Sequence, residues 1–414
     1  DPRRQDDTHM SHATPLARLT ADPEEFRERW PAKPQVHRGD PAWARSLLTS
    51  EAIDTLIAEY GLDASRITMA DGDLIPARHY SAGDAIDPIG LGERLRDGAT
   101  LLLQSLHTLH PPLVGLCRET VAELGHPVQA NAYLTPPRSN GFAHHWDGHS
   151  SFLIQTEGSK NWQIFEPIVE DPMTPGSIRS GQLSADFADR EPLLEIELHI
   201  GDVLWLPRGW IHNGVTADEW SLHVTIGIKQ FTSQGLLASL LRAASEEPAL
   251  RAALPPGTGL DETVLRQAMT QSRRALINWL EGLSDGRLAA LVTPGVQRTL
   301  GGPARRPVTS VLAGPTLKTV RVVPYAVLSV AGSGRLRFGD ADVDVLPEVL
   351  EEYDRAHRGD GVLDCRRLTE RIGAEAAKEA VELLLTYGAV VPIKTCSERD
   401  KHMSDDQDNG YLTT

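Results

Sequence analysis

The sequence predicts a mainly β protein: a jelly-roll or β-sandwich core with α-helical additions, then a helical segment and a small α+β module. Three observations predict it. Between residues 128 and 229, short runs with strand patterning alternate with Gly, Pro and Asp turns. From 235 to about 283, the apolar spacing becomes helical. Beyond a linker at 293–315, rich in Gly, Pro and Thr, strand-like and helix-like runs mix.

Taken in order, residues 1–8 are polar and expected to be disordered, and Met10 is a candidate natural start. A helix is expected over 50–60. Ser50 can cap it, Ile53, Leu56, Ile57 and Tyr60 share a face, and Gly61 can end it. The remainder up to about Gly125 reads as helical or irregular. Strands are expected at 128–134, 151–155, 161–165, 193–199, 202–206 and 221–228. Then Leu236, Leu237, Leu240 and Leu241 form one helical stripe. Val264, Leu265, Ala268, Met269, Leu276, Trp279 and Leu280 form another. Such stripes cover either the main domain or a second subunit.

After the linker, 326–330 and 335–345 read as strands, 347–357 and 375–387 as helices, and 388–393 as a last strand. Helices followed by a short β-wing resemble a winged-helix module. Its recognition helix would carry Glu375, Lys378, Glu379 and Glu382, a net −2, so no DNA reading is expected. A disordered tail is expected at 395–414. The division is therefore 1–20, a disordered N-terminus; 21–230, the main domain with N-terminal helices; 231–292, a helical segment; 293–394, the winged-helix-like domain; and 395–414, the tail.

Composition narrows the class. A chain of 414 residues exceeds one ordinary core and suggests two or three domains. With 41 basic and 57 acidic residues, the net charge is −16. Such a surface repels nucleic acid and anionic membrane and suits a basic peptide or protein. Cys117, Cys365 and Cys396 are far apart and odd in number, which excludes a disulfide framework or a CxxC site and fits a reducing cytoplasm. No apolar run is long enough to cross a bilayer, and no signal-peptide pattern is present.

The chemistry concentrates between Gly141 and His149. On a strand, residues two apart share a face, so His145 and Asp147 point together with Trp146 opposite. An imidazole and a carboxylate are two ligands of a facial triad, and His212, on a later strand, is the candidate third. Two neutral imidazoles and one carboxylate suit Fe(II), leaving the opposite face open for a bidentate co-substrate and O2. His144 has the wrong parity. His149 has the right parity but sits further along, as a supporting or substrate-facing residue. His223 either approaches the site from a neighbouring strand or sits in the core.

A resemblance adds to this. Asn131, Tyr133 and Pro136–Pro137, then His145, Trp146 and Asp147, then Phe152, Gln155, Gly158, Lys160 and Trp162, resemble the ribosomal-oxygenase branch of the JmjC hydroxylases. Gly201, Asp202, Pro207, Gly209, Trp210, His212, Ser221, His223 and Thr225 continue the likeness, and upstream so do Phe26, Trp30, Lys33 and Pro34. The resemblance implies a double-stranded β-helix of the JmjC/cupin type and an Fe(II)-, 2-oxoglutarate- and O2-dependent hydroxylase. It also implies a helical dimerisation segment, hence a possible homodimer, and a winged-helix domain. Lys160 would pair with the distal carboxylate of 2-oxoglutarate; a cation in an apolar barrel is costly unless an anion meets it. Asn131 and Tyr133 would hydrogen-bond the co-substrate, and Thr225 is a weaker candidate for the same task.

The implied substrate is a protein or peptide, hydroxylated on a side chain such as His, Arg or Asn. Residues 136–141 and His149 depart from the pattern near the substrate cleft, which leaves the substrate open. Alternatives are hydroxylation of a natural-product peptide or small metabolite, N-methyl-lysine demethylation, and a non-catalytic cupin-fold binding or scaffold protein. With aromatics at 5%, no methylammonium cage is readable.

Overall fold

The computed structural model describes residues 14–30, 33–178, 187, 189–300, 319–322, 328–330, 335–338, 341–358, 361–386 and 389–392. The ends expected to be disordered, at 1–8 and 395–414, the start at Met10, and residues 301–315 of the linker lie outside these. The chain divides into two compact units, Asp1–Leu236 and Leu237–Thr414.

Besides a small two-stranded sheet, Ser81–Ala82 with Ala85–Ile86, the first unit holds two large antiparallel sheets. The larger runs Gln35–Arg38, Asp202–Leu206, Ser150–Gly158, Ser221–Ile228, Val128–Thr135, Thr100–Leu103, Ile67–Asp71, Asp73–Ile75. The smaller runs Gly176–Ser177, His145–Trp146, Ile211–Val215, Lys160–Phe165, Leu194–Leu198. This is the jelly-roll core, and its packing follows the two-residue period of a strand. In the larger sheet, Leu101, Leu103, Ala130, Ala132, Phe152, Ile154, Val203, Trp205, Leu222, Val224 and Ile226 face one way. They pack with Leu16, Phe26, Leu47, Ile53, Leu56, Leu113 and Leu116 of the N-terminal helices. Their neighbours Leu153, Leu204 and Leu206 face the other way, onto Trp162, Ile164 and Leu198 of the smaller sheet.

Because both faces of the large sheet are covered at its centre, burial does not alternate along the central strands, although polar and apolar side chains do. Ser221–Ile228 is buried at every position. The main correction lies upstream. Residues before Gly125, read as helical or irregular, supply half of the large sheet's strands: Gln35–Arg38, Ile67–Asp71, Asp73–Ile75 and Thr100–Leu103. The helix expected at 50–60 is α-helical over Ser50–Asp54 and continues as a π-helical turn over Thr55–Glu59. Thr49, not Ser50, caps it, accepting from Ala52 N–H. Tyr60 turns away from the core, 75% exposed, while Ile53 and Leu56 are buried.

One irregularity matters later. The Ser150–Gly158 strand bulges opposite Leu222 and His223. Gln155 fills the bulge, its Nε2 donating to Ser221 Oγ and Glu157 O, each at 2.8 Å.

In the second unit, Asp261 caps a long helix, Glu262–Glu281, and a further helix, Asp285–Leu300, takes in the start of the expected linker. The predicted stripes are only partly covered: Leu240 and Ala268 are buried, whereas Leu237, Leu241, Leu265 and Met269 are exposed. Further on, Thr319–Val322 pairs with Val362–Asp364 and Val390–Pro392. Around this sheet lie the helices Pro347–Arg358, Cys365–Ile372 and Ala374–Thr386, with Val320, Tyr353, Leu363, Leu368, Val381 and Leu384 in their core. The strand expected at 335–345 is a pair, Arg335–Phe338 against Ala341–Asp344. The helix Cys365–Ile372, capped by Asp364, was not foreseen.

Candidate metal centre

Two strands of the smaller sheet converge on one point. His145 lies directly opposite His212 across the pairing of His145–Trp146 with Ile211–Val215, and their ring centroids are 4.2 Å apart. Asp147 follows just beyond the strand end. Its backbone carbonyl accepts from Gly209 N–H at 3.0 Å, which ties it to the turn leading into His212. One ligand atom from each of His145, Asp147 and His212 lies within 4.8 Å of the others. No other such cluster occurs among the described residues.

The imidazoles are oriented for donation. His145 Nδ1 lies 2.8 Å from Ala143 O, and His212 Nδ1 lies 3.1 Å from Trp210 O. A carbonyl only accepts, so both Nδ1 atoms carry the proton and both Nε2 lone pairs are free. Burial, reinforced by the neighbouring His145, lowers the His212 pKa to about 3, so this ring is neutral near pH 7.

A cavity of about 450 Å³ opens on these groups, lined also by Tyr133, Ser151, Lys160, Trp162, His223 and Thr225. Lys160 stands at its inner wall. It begins the strand Lys160–Phe165 with Trp162 and Ile164 on the same buried face. Two glycines shape its surroundings, Gly158 in the turn before it and Gly214 beside its side chain. Gly158 takes a left-handed φ of 62°, and a Cβ there would meet Trp220 O at 1.9 Å. A Cβ on Gly214 would stand 2.9 Å from Lys160 Cε. The ammonium is 4% exposed, donates to Thr135 Oγ1 at 2.9 Å, and lies 5.3 Å from the Trp162 ring centroid. No described carboxylate forms an ion pair with it. Burial lowers its pKa from 10.5 to about 7. An amine in that state is poised to be recharged by an incoming anion.

The other expected residues sort as follows. Tyr133 and Thr225 line the cavity. Asn131 does not; its Oδ1 accepts from Ser105 N–H at 2.9 Å. It lies on the same strand as Tyr133, whose pKa burial raises. His144 points away, packed against Phe165 and Phe187. His149 lies outside the ligand cluster, its ring edge against Gly227. Sequence reasoning missed Ser151 and named Trp162 without a role of its own; their Oγ and Nε1 are buried at this cavity without hydrogen-bond partners. Strand parity could have found Ser151, because it shares a face with Leu153. Orphaned polar atoms beside a buried cation fit a polar, anionic ligand.

Residues 115–236 match the family model described as the JmjC domain. This stretch is a JmjC domain. It contains all three clustered side chains and Lys160. The chain is 32% identical over 239 residues to "Ribosomal oxygenase 1" of Gallus gallus, covering 55% of this chain and 39% of that protein. It is 44% identical over 116 residues to "Bifunctional lysine-specific demethylase and histidyl-hydroxylase NO66" of Drosophila persimilis, covering 28% of this chain and 16% of that protein. The chain thus spans about two fifths or less of these relatives' length. The crystal structure of Escherichia coli ribosomal oxygenase YcfD superposes with a TM-score of 0.58 at 16% identity, covering 91% of this chain and 99% of that one. At that identity it bears on the fold around the JmjC domain. Among the described residues, no helix is long and apolar enough to cross a membrane.

Proposed function

We propose that the chain is an Fe(II)- and 2-oxoglutarate-dependent oxygenase that hydroxylates an amino-acid side chain of a protein or peptide. One observation carries the reading: a two-histidine, one-carboxylate cluster and a buried lysine without a carboxylate partner share one cavity. His145, Asp147 and His212 would hold the iron, and Lys160, Tyr133 and Thr225 would face the co-substrate. Asn131 would support the wall beside Tyr133, its oxygen held by Ser105 N–H. When bound, iron and 2-oxoglutarate supply the oxidation of a C–H bond by O2. The chain's part is to present two neutral Nε2 lone pairs and a carboxylate on one side, to neutralise a carboxylate with Lys160, and to keep the cavity dry. The names of the relatives, ribosomal oxygenase and histidyl-hydroxylase, support a protein substrate. A structure of YcfD was determined with cobalt and 2-oxoglutarate, which supports the same co-substrate here.

Hydroxylation is favoured over removal of a methyl group from lysine. Of the aromatic rings lining the cavity, Tyr133 lies stacked on His223 and Trp162 lies near Lys160, which leaves Phe142 and no cage. We also read residues 21–230 as the catalytic domain, 231–292 as a dimerisation segment on the strength of its exposed leucines, and 293–394 as winged-helix-like. Light scattering tests the dimer; a monomeric mass refutes it.

The functional test is anaerobic titration with Fe(II) and 2-oxoglutarate, following the visible charge-transfer band. We expect the band in the wild type, its loss in His145→Ala and His212→Ala, and a weaker band in Lys160→Ala. A metal-loaded wild type without the band overturns the reading and favours a non-catalytic binding protein.

A further inference from the structure

His223 was left undecided by the sequence. Its strand, Ser221–Ile228, pairs with Val128–Thr135 so that Ser221 faces Thr135 and His223 faces Tyr133. Lys160 Nζ bonds Thr135 Oγ1. His223 therefore occupies the interior position next to the one where the ammonium sits.

The imidazole is held on its faces and edge. Its ring stacks on Tyr133 at 4.8 Å with the planes 1° apart, and Trp162 meets it edge-on at 5.3 Å. Gln155, directly across the sheet, commits its Nε2 to the bulge, donating to Ser221 and Leu222, and its Oε1 makes no hydrogen bond to His223. His223 is 2% exposed and lines the cavity, yet its Nδ1 has no hydrogen-bond partner. Burial, with the nearby charge of Lys160, keeps the ring neutral. A neutral imidazole has one N–H to donate, and burying a ring nitrogen with no partner is costly.

We propose that His223 is a binding residue for the co-substrate, its imidazole donating a hydrogen bond to the carboxylate that Lys160 neutralises. A carboxylate has about four lone-pair sites, more than one ammonium can fill. This assignment rests on the 2-oxoglutarate reading of the cavity.

The test is calorimetric titration of 2-oxoglutarate into the full chain loaded anaerobically with Mn(II), in wild type, His223→Phe and His223→Asn. Phe keeps the ring stacked on Tyr133 and removes the N–H; Asn restores an N–H near the Nδ1 position. His223→Phe is expected to bind about 10- to 100-fold more weakly, the loss of one hydrogen bond to a charged group. His223→Asn should recover part of this, with Mn(II) affinity unchanged in both. Equal affinity in wild type and His223→Phe overturns the assignment. A second readout needs no variant. In the Zn(II)-loaded wild type, the His223 ring ¹⁵N resonances should move on adding 2-oxoglutarate, and unmoved resonances overturn the assignment. A wild type that binds metal but no 2-oxoglutarate brings down the proposed function itself, and this inference with it.

Discussion

On the 2-oxoglutarate reading proposed above, Lys160 makes co-substrate binding a proton-linked event. In the ligand-free cavity its pKa is lowered from 10.5 to about 7 by burial. The groups around it are Thr135, Trp162 and the neutral His223, none of which supplies a counter-charge. A bound carboxylate restores the charged form and returns the pKa toward its ordinary range. At pH 8 the free amine is about one-tenth charged, so binding should take up about 0.9 proton per 2-oxoglutarate; at pH 6 the uptake falls to about 0.1. Affinity should weaken up to about tenfold for each pH step above 7. The assay is calorimetry on the Mn(II)-loaded protein in buffers of different ionisation enthalpy, at pH 6, 7 and 8. The slope of apparent enthalpy against buffer enthalpy gives the proton count. Lys160→Met should abolish the uptake and weaken binding by about 10- to 100-fold. Binding at pH 8 without proton uptake would refute the reasoning, because the amine would then already be charged or not be used.

Other predictions follow from the same structure. Ligand-free Lys160→Met should be more stable than wild type. The unfolded chain keeps Lys160 charged up to about pH 10.5, while the fold gives up that proton near 7, so the cost is complete below pH 7 and vanishes above about 10.5. From that difference it is on the order of 5 kcal/mol. A urea midpoint at pH 7 no higher than wild type counts against this. Gly214→Ala should weaken 2-oxoglutarate binding while leaving metal affinity intact, since the new methyl would stand 2.9 Å from Lys160 Cε and 3.0 Å from the Trp162 ring. Unchanged calorimetric affinity would show that the pocket yields there. Below about pH 6.5 the metal-free protein should lose stability. His107, His110 and His126 have their pKa lowered by burial, so the unfolded chain binds protons the fold refuses. Denaturation midpoints that stay flat from pH 7.5 to 5.5 would contradict this.

Much of the site was legible because it obeys strand parity. His145, Lys160, Tyr133, His212 and Thr225 all reach the same cavity. Tyr133, Lys160 and Thr225 do so from or beside strands whose period the sequence displays, and the two histidines are legible by their residue type and spacing. Asn131 has the same parity, yet Ser105 N–H takes its oxygen. That contact comes from a turn 26 residues upstream, which no local pattern reports. The strands at Ile67–Asp71 and Thr100–Leu103 were missed for a related reason. They are short and buried against helices on one side and the barrel on the other, so the alternation that marks a strand is absent. Ile211–Val215 was recognised only through its histidine, since Asn213 and Gly214 dilute any strand preference.

The large sheet serves two masters at every step. Ser151, Leu153, His223 and Thr225 belong to the cavity, while Phe152, Ile154, Leu222 and Val224 belong to the helical layer. Adding or deleting a single residue in these strands would exchange the two sets, driving aromatic bulk into the cavity and stranding a histidine and hydroxyls among leucines. Lineages that diversify what this protein acts on are therefore confined to point changes in the barrel and free to vary length only in the connections around its mouth, such as the turn at 136–144 and the stretch at 166–178. Those connections are where insertions should be looked for among its kin, and where an engineer should graft.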